Sequence, residues 1–208
     1  MGRPRAYDLE TALGAVRDEF WERGYEQVSI GDLEQRTGLD RSSLYNAFGS
    51  KHALFEAVLQ RYEDDVRTGL SRMRESGPGL DAVAGFFTDA AARLRNDSIA
   101  GRRGCLIVNT IAEFGCNDSL ASSTGTRYRD ALHEAFASAL DRAAKRGEIE
   151  RRHNPARARA LAATVMGYSL AARLDPLDAA ETCEAVAAEV QSWRLRSPSR
   201  SKPKAPRT

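Results

Sequence analysis

Nowhere does this chain of 208 residues hold the run of roughly 20 apolar residues that a bilayer-spanning helix requires. Its start, Met1-Gly2-Arg3-Pro4-Arg5, lacks the apolar core of an export signal, so the protein is expected to stay in the cytosol, with no membrane partner. Cysteine is scarce. Three residues, an odd number, do not make a disulfide framework and fit a reducing compartment. The three histidines, His52, His133 and His153, never fall at ligand spacing with one another or with the cysteines, so no metal and no cofactor is expected. Runs of Val, Ile and Thr are few against stretches rich in Ala, Leu, Glu and Arg, which points to an all-α class. A basic N-terminal half is also missing: residues 1–51 carry seven Lys and Arg against nine Asp and Glu, so bulk charge alone gives no support for nucleic-acid binding there. The net charge of +2 arises in the tail, where Arg196, Arg200, Lys202, Lys204 and Arg207 stand with no acid, and without those five the rest carries −3.

What is present is helical periodicity with clear punctuation. Leu9, Leu13, Val16 and Phe20 draw one apolar stripe on a first helix that ends at Gly24, a natural left-handed cap. Ser29 and Asp32 make a capping-box start for a short helix over Ile30–Thr37, and Gly38 supplies a tight turn. Asp40 can cap a third helix from Arg41 to about Ala47. After Gly49, Ser50 caps a long fourth helix whose stripe Leu54, Val58, Tyr62, Val66 and Leu70 runs to about Arg74. Past the turn Gly77-Pro78-Gly79, helices are expected at about 80–95, 104–115, 119–146, 155–173 and 178–195, nine in all. We divide the chain into an arm and helix-turn-helix domain (1–51), a helical sensor and dimerisation domain (52–195) and a basic tail (196–208) too polar to order itself.

Two short helices joined by a glycine-containing turn are what a helix-turn-helix needs to hold its second helix steeply enough to enter a major groove. Leu33, Leu39, Leu44 and Phe48 supply its shared core. Arg41, Ser42, Ser43, Tyr45 and Asn46 face outward, short or flexible hydrogen-bonding groups suited to base edges and phosphates. The run from Ser29 to Lys51, Ser-Ile-Gly-Asp-Leu-Glu-Gln-Arg-Thr-Gly-Leu-Asp-Arg-Ser-Ser-Leu-Tyr-Asn-Ala-Phe-Gly-Ser-Lys, followed by His-Ala-Leu-Phe, resembles the signature of the tetracycline-repressor (TetR/AcrR) family of transcriptional regulators. The likeness covers about the first 60 residues, and the Leu-Tyr-x-x-Phe-x-x-Lys run at 44–51 sets it apart from generic helix-turn-helix segments. It implies that Arg41, Ser42, Ser43 and Asn46 face bases or nearby phosphates and that Tyr45 and Lys51 anchor phosphates. Ser29, which opens the motif, joins this DNA-facing set. Lys51 also stands beside the free N–H groups of a helix start, a compact anion site. Arg3 and Arg5, on a short arm around Pro4, either reach into a narrow minor groove or add only nonspecific phosphate affinity.

In the sensor half, Cys105, Asn109 and Glu113 recur at steps of four along an otherwise apolar helix, a polar stripe that needs partners: a ligand, or neighbouring helices. Arg-Gly-Cys-Leu at 103–106, with Val108 and then Ala-Glu at 112–113, resembles the corresponding helix of the repressors of N-ethylmaleimide reductase, which implies an electrophile- or redox-sensing role for Cys105. Arg102 and Arg103 beside it would favour the thiolate; the alternative is a small buried packing residue. Cys116, roughly 16 Å further along a continuous helix, is too far for a disulfide, and Cys183 reads as packing. Phe86, Phe87, Tyr128, Phe136, Met166 and Tyr168 complete the candidate pocket set, with Phe86, Tyr128 and Met166 carried as ligand-binding residues. The Ala-rich helices at about 155–173 and 178–195 imply, by the family likeness, a two-fold homodimer that reads a palindromic operator. The function expected is a repressor released from double-stranded operator DNA by an unidentified small-molecule inducer or by an electrophile or redox signal. A constitutive DNA-binding protein is the alternative. A Cys105-dependent enzyme is disfavoured because no histidine falls where it could serve as base, and the chain is expected not to be an enzyme.

Overall fold

A computed structural model describes residues 6–75, 79–96, 101–115 and 117–195. Arg3, Arg5, Gly77-Pro78, Cys116 and the basic tail 196–208 lie outside the described residues, so the expectations placed on them stand only as expectations. Among the described residues there are nine α-helices and no strand: α1 (Ala6–Arg23), α2 (Ile30–Thr37), α3 (Arg41–Phe48), α4 (Lys51–Glu75), α5 (Gly79–Asn96), α6 (Leu106–Phe114), α7 (Ser119–Lys145), α8 (Asn154–Ala171) and α9 (Pro176–Ser192), with a 3-10 turn at Arg151–His153.

The punctuation works as its chemistry dictates. Gly24, Gly38 and Gly49 end α1, α2 and α3 at φ values of 86°, 71° and 83°, which only glycine adopts without strain. Asp118 caps α7 by accepting from the Ala121 N–H, and Asp175 with Pro176 opens α9. Helix α6 is shorter than the expected 104–115. Gly104 sits at φ 63°, outside helical backbone, so the helix cannot begin before Cys105.

Val16, Phe20, Val28, Leu33, Leu44, Leu54, Phe55 and Val58 are buried around one small core that binds α1, α2 and α3 to the first turns of α4. The rest of α4 runs into the larger half, where α5 lies along α9 and α7 packs against α4, α5, α6 and α8. Helix α5 approaches α7 so closely at Gly79 that a Cβ there would stand 2.3 Å from the Ala139 carbonyl oxygen. Helix α4 therefore belongs to both cores. Its clamp to α7 is an ion pair between a buried carboxylate and a half-exposed guanidinium: Arg127 Nε and Nη2 donate to the two Glu63 carboxylate oxygens at 2.8 and 2.7 Å, and Nη2 also donates to Thr124 Oγ1.

Candidate functional site

The reading head is built by two caps and one turn. The Ser29 hydroxyl accepts from the Asp32 N–H while the Asp32 carboxylate accepts from Ser29, fixing the start of α2. The Gly38 N–H donates to the Glu34 carbonyl at the other end. The Asp40 carboxylate then accepts from the Ser43 N–H at 2.7 Å, and the Arg41 N–H donates to the Glu34 side chain at 2.7 Å, so a side chain of α2 helps to cap α3. Leu33 and Leu44 face inward. Arg41, Ser42, Tyr45 and Asn46 are exposed and Ser43 is half-buried. They pair along the helix: the Arg41 guanidinium lies 5.7 Å from the Tyr45 ring centre, and Asn46 Nδ2 lies 3.5 Å from Ser42 Oγ. One guanidinium, one carboxamide and two hydroxyls on an unobstructed face can meet base edges and phosphates.

Hydrogen bonds from Ser29 and the neighbouring Arg23 pull the Asp32 carboxyl from 3.8 down to about 2. A carboxyl held below its unfolded value stabilises the fold above about pH 4, and that contribution disappears as pH falls through 2. Asp32→Asn should therefore weaken the start of α2 at pH 5 and do so much less at pH 2, as read by helicity or amide exchange.

Helix α6 grips the head at the α1–α2 turn. The backbone N–H groups of Tyr25 and Glu26 donate to the two carboxylate oxygens of Glu113 at 3.0 and 2.9 Å. A Cβ on Gly24 would stand 3.1 Å from that carboxylate, so the left-handed glycine also makes room for it. Phe114 follows, 5.1 Å from the Tyr25 ring and stacked on Phe55 at 5.7 Å. The Tyr25 ring in turn carries the Lys51 ammonium 4.2 Å from its centre, so the first residue of α4 is positioned by the turn that α6 holds. A second contact lies just before α6: the Trp21 indole N–H donates to the Arg103 carbonyl at 3.0 Å, and the Arg103 guanidinium lies 3.4 Å from Asp18.

At the other end of α6 a cavity of about 1090 Å³ opens between α4, α5, α7 and α8. Gly104 is held so close to α8 that a Cβ would stand 2.3 Å from the Ser169 carbonyl oxygen, and this sets the next residue, Cys105, at the cavity wall. The Cys105 side chain makes no capping bond. Its sulfur accepts instead from the Tyr62 hydroxyl at 3.6 Å. Burial above all, and then the adjacent thiol, pushes the Tyr62 and Tyr128 phenols well above their ordinary range, and burial pushes Tyr168 up as well. All three are neutral hydrogen-bond donors near pH 7.

Of the candidate pocket residues singled out in the sequence, Cys105, Phe86, Tyr128 and Tyr168 line this cavity, while Phe87 and Phe136 are buried in the core. Asn109, Glu113 and Met166 do not line it. Asn109 Nδ2 donates to the Arg103 carbonyl at 2.8 Å, Glu113 holds the α1–α2 turn, and Met166 packs against the core. Arg102 and Arg103 are not the thiol's polar neighbours: the first donates to the Leu174 carbonyl at 3.2 Å and the second faces α1. Cys183 is buried, its thiol pushed up to about 11 by that burial, as a packing residue's would be. Sequence reasoning passed over Tyr62 and Trp21 as cavity residues, because on an apolar stripe they look like any other core aromatic. No helix among the described residues is long and apolar enough to cross a membrane, and no group of three or more His, Cys, Asp or Glu among them could hold a metal ion.

An exposed helix behind a tight turn, tied by α6 to a helical half that holds a cavity, is the arrangement of a helix-turn-helix DNA-binding protein. The profile of bacterial regulatory proteins of the tetR family matches residues 12–58, and that of the tetracyclin repressor-like C-terminal domain matches residues 87–189. The HTH-type transcriptional repressor ComR of Escherichia coli (strain K12) is 30% identical over 151 residues, spanning 71% of this chain and 70% of that protein. A cysteine mutant of the TetR-family regulator CifR, solved with 26-base-pair operator DNA, is 25% identical with a TM-score of 0.68, over 93% of this chain and 100% of that one. Reduced E. coli NemR shares the fold at 20% identity and a TM-score of 0.76, over 93% of this chain and 99% of that one. The chain belongs to the TetR family of DNA-binding transcriptional regulators.

Proposed function

We propose that the protein is a homodimeric repressor whose α3 helices read a palindromic operator and which lets go when the α6-side cavity is occupied or Cys105 is modified. The observation that carries this reading is that α6 spans both sites: Cys105 at its start faces the cavity, and Glu113 at its end holds the backbone of the reading head. A ligand shifts such an equilibrium only by binding one arrangement better than the other. A cavity event that moves α6 changes the position of the α1–α2 turn, and with it Lys51 and α3. Arg41, Ser42, Ser43 and Asn46 take the base-facing role, Tyr45 and Lys51 the phosphate role, with Ser29 capping the motif; Arg3 and Arg5 add affinity from the arm. We place the division between DNA-binding and sensor halves at the start of α4. For the dimer, α8, α9 and the turn between them leave Ala160, Ala163, Gly167, Leu170, Leu174 and Leu177 exposed, apolar positions suited to a four-helix interface about a two-fold axis. The name ComR carries, transcriptional repressor, supports the direction of control.

The test is operator affinity before and after methyl methanethiosulfonate, a small thiol reagent reversed by dithiothreitol. Allosteric couplings of this kind are worth about 5- to 150-fold in affinity. Reversible weakening of at least about fivefold is expected in the wild type and not in Cys105→Ser. Glu113→Ala should still bind operator yet show less than half of that response on a logarithmic scale. Affinity indifferent to the reagent would instead make this a constitutive DNA-binding protein as far as its thiols are concerned.

A further inference from the structure

Helix α5 turns one face to the cavity. Ala82, Phe86, Asp89 and Arg93 follow at steps of four, three and four and all line it, so an apolar wall ends in two charges. Both are exposed, and neither makes an ion pair among the described residues. Two other acids near this face of α5 are committed. Arg95 donates to both oxygens of Glu184 at 2.8 and 2.9 Å, and Asp81 accepts from Arg194 at 2.6 Å and from Gln191 at 2.9 Å. The charge of Arg93 acts instead on Tyr168, a second wall residue that comes from α8, and pulls its phenol down against the rise that burial causes. The Tyr168 ring is set 6.4 Å from Phe87, and its hydroxyl has no hydrogen-bond partner among the described residues.

The rest of the polar lining is largely engaged. The Tyr62 and Tyr128 hydroxyls are bonded to the Cys105 sulfur, the Ser169 hydroxyl donates to the Val165 carbonyl at 2.7 Å, and the Trp21 N–H donates to the Arg103 carbonyl. Arg93 and Tyr168 are therefore an idle cation and an idle neutral donor on one cavity. A carboxylate suits that pair, since it offers two acceptor oxygens, takes a guanidinium in a charge-assisted bond and leaves an oxygen for a phenol. An uncharged carbonyl would leave the cation unused. An ammonium would find Asp89 but meet two donors, which cannot accept from it. Away from the charges Leu70, Met73, Phe86 and Leu132 offer apolar surface, and a volume of about 1090 Å³ admits a drug-sized body.

Resting on the repressor reading above, we infer that the cavity takes amphipathic monocarboxylates, a hydrocarbon body with one carboxyl group, whose oxygens are held by Arg93 and Tyr168. Leu70 and Met73 belong to α4, which begins at Lys51, so the body of such a ligand lies against the helix that carries the phosphate anchor. Asp89 sets the limit on charge: one carboxylate is balanced by Arg93, and a second would be repelled by the acid one turn away.

The probes are 4-phenylbutyrate and two near-isosteres, 4-phenylbutyramide and 4-phenylbutylamine, with dissociation constants measured by calorimetry on the full-length protein. The acid is expected to bind at least about tenfold more tightly than the amide, the low end for hydrogen bonds to a charged group because Arg93 is exposed. Arg93→Met should bring acid and amide within about twofold of each other. Tyr168→Phe, which keeps the ring beside Phe87, should weaken the acid at least about threefold. Asp89→Asn should strengthen the acid and leave the amide unchanged. At Gly85, on the cavity wall, a Cβ meets nothing within 4 Å, so Gly85→Leu fills open space and should weaken acid and amide alike. An acid no tighter than the amide, equal losses of both in Arg93→Met, an amine that binds tightest, or no binding by any probe overturns the carboxylate site. Acid binding untouched by Gly85→Leu places the acid on an outer surface and overturns it too. Saturating 4-phenylbutyrate should also lower operator affinity at least about fivefold. Binding that leaves operator affinity unchanged would contradict release by occupancy with the site still standing; probes that fail while methyl methanethiosulfonate still weakens operator binding would do the reverse.

Discussion

Arg127→Met is expected to lower the unfolding free energy by about 3 kcal/mol, the low end of what removing one partner of a buried ion pair costs. Glu63 is 2% exposed, and the guanidinium of Arg127 holds both of its oxygens. Without that cation a carboxylate from α4 is left in an apolar interior against α7. The Arg127 side chain is 45% exposed, so part of its charge is solvated already and the cost is kept at the low end of the range. For a chain of this length, 3 kcal/mol corresponds to a fall in Tm of about 6–12 °C by thermal denaturation. The double variant Glu63→Leu with Arg127→Met removes the stranded charge as well, and should recover most of the loss. A double variant as unstable as the single would mean that packing around the site, rather than the buried charge, sets the penalty.

The second large effect falls on DNA and leaves the fold alone. Arg41→Ala together with Asn46→Ala should weaken operator binding by about 100-fold or more, because each good side-chain contact to a base is worth about 1–3 kcal/mol. Both side chains are exposed, and their contacts within the protein are limited to the Tyr45 ring and Ser42, so Tm should hardly move. Lys51→Ala should act differently, weakening all sequences about equally and reducing the salt slope by about one. Equal loss on specific and nonspecific DNA in the Arg41, Asn46 double variant would remove these residues from sequence readout.

The helix-turn-helix was legible because its signals are local. Ser29, Asp40 and the glycines at 24, 38 and 49 act within one turn of where they stand, and the structure uses each as a cap or a left-handed stop. The polar stripe of α6 was legible only as a stripe. Periodicity places Cys105, Asn109 and Glu113 on one face, but at 1.5 Å per residue the last lies about 12 Å beyond the first. That is far enough to pass from the cavity to the reading head, and so one pattern serves two places. The carboxylate's partners are backbone N–H groups at 25 and 26, which have no signature in side-chain sequence. Met166 shows the same limit in reverse: its neighbours Val165, Tyr168 and Ser169 line the cavity and it does not, because one residue turns a helical side chain by about 100°. The Glu63–Arg127 clamp joins residues 64 apart and needs the packing of α4 on α7 before it can be seen.

The central claim is that α3 reads a specific two-fold site and that the cavity end of α6 controls that reading. Selection of bound fragments from genomic DNA by the purified protein, repeated after methyl methanethiosulfonate and again after dithiothreitol, tests both halves at once. A palindromic site recovered from the untreated protein, lost on treatment and regained on reduction, is the predicted result; enrichment of no specific sequence by the untreated protein would contradict it.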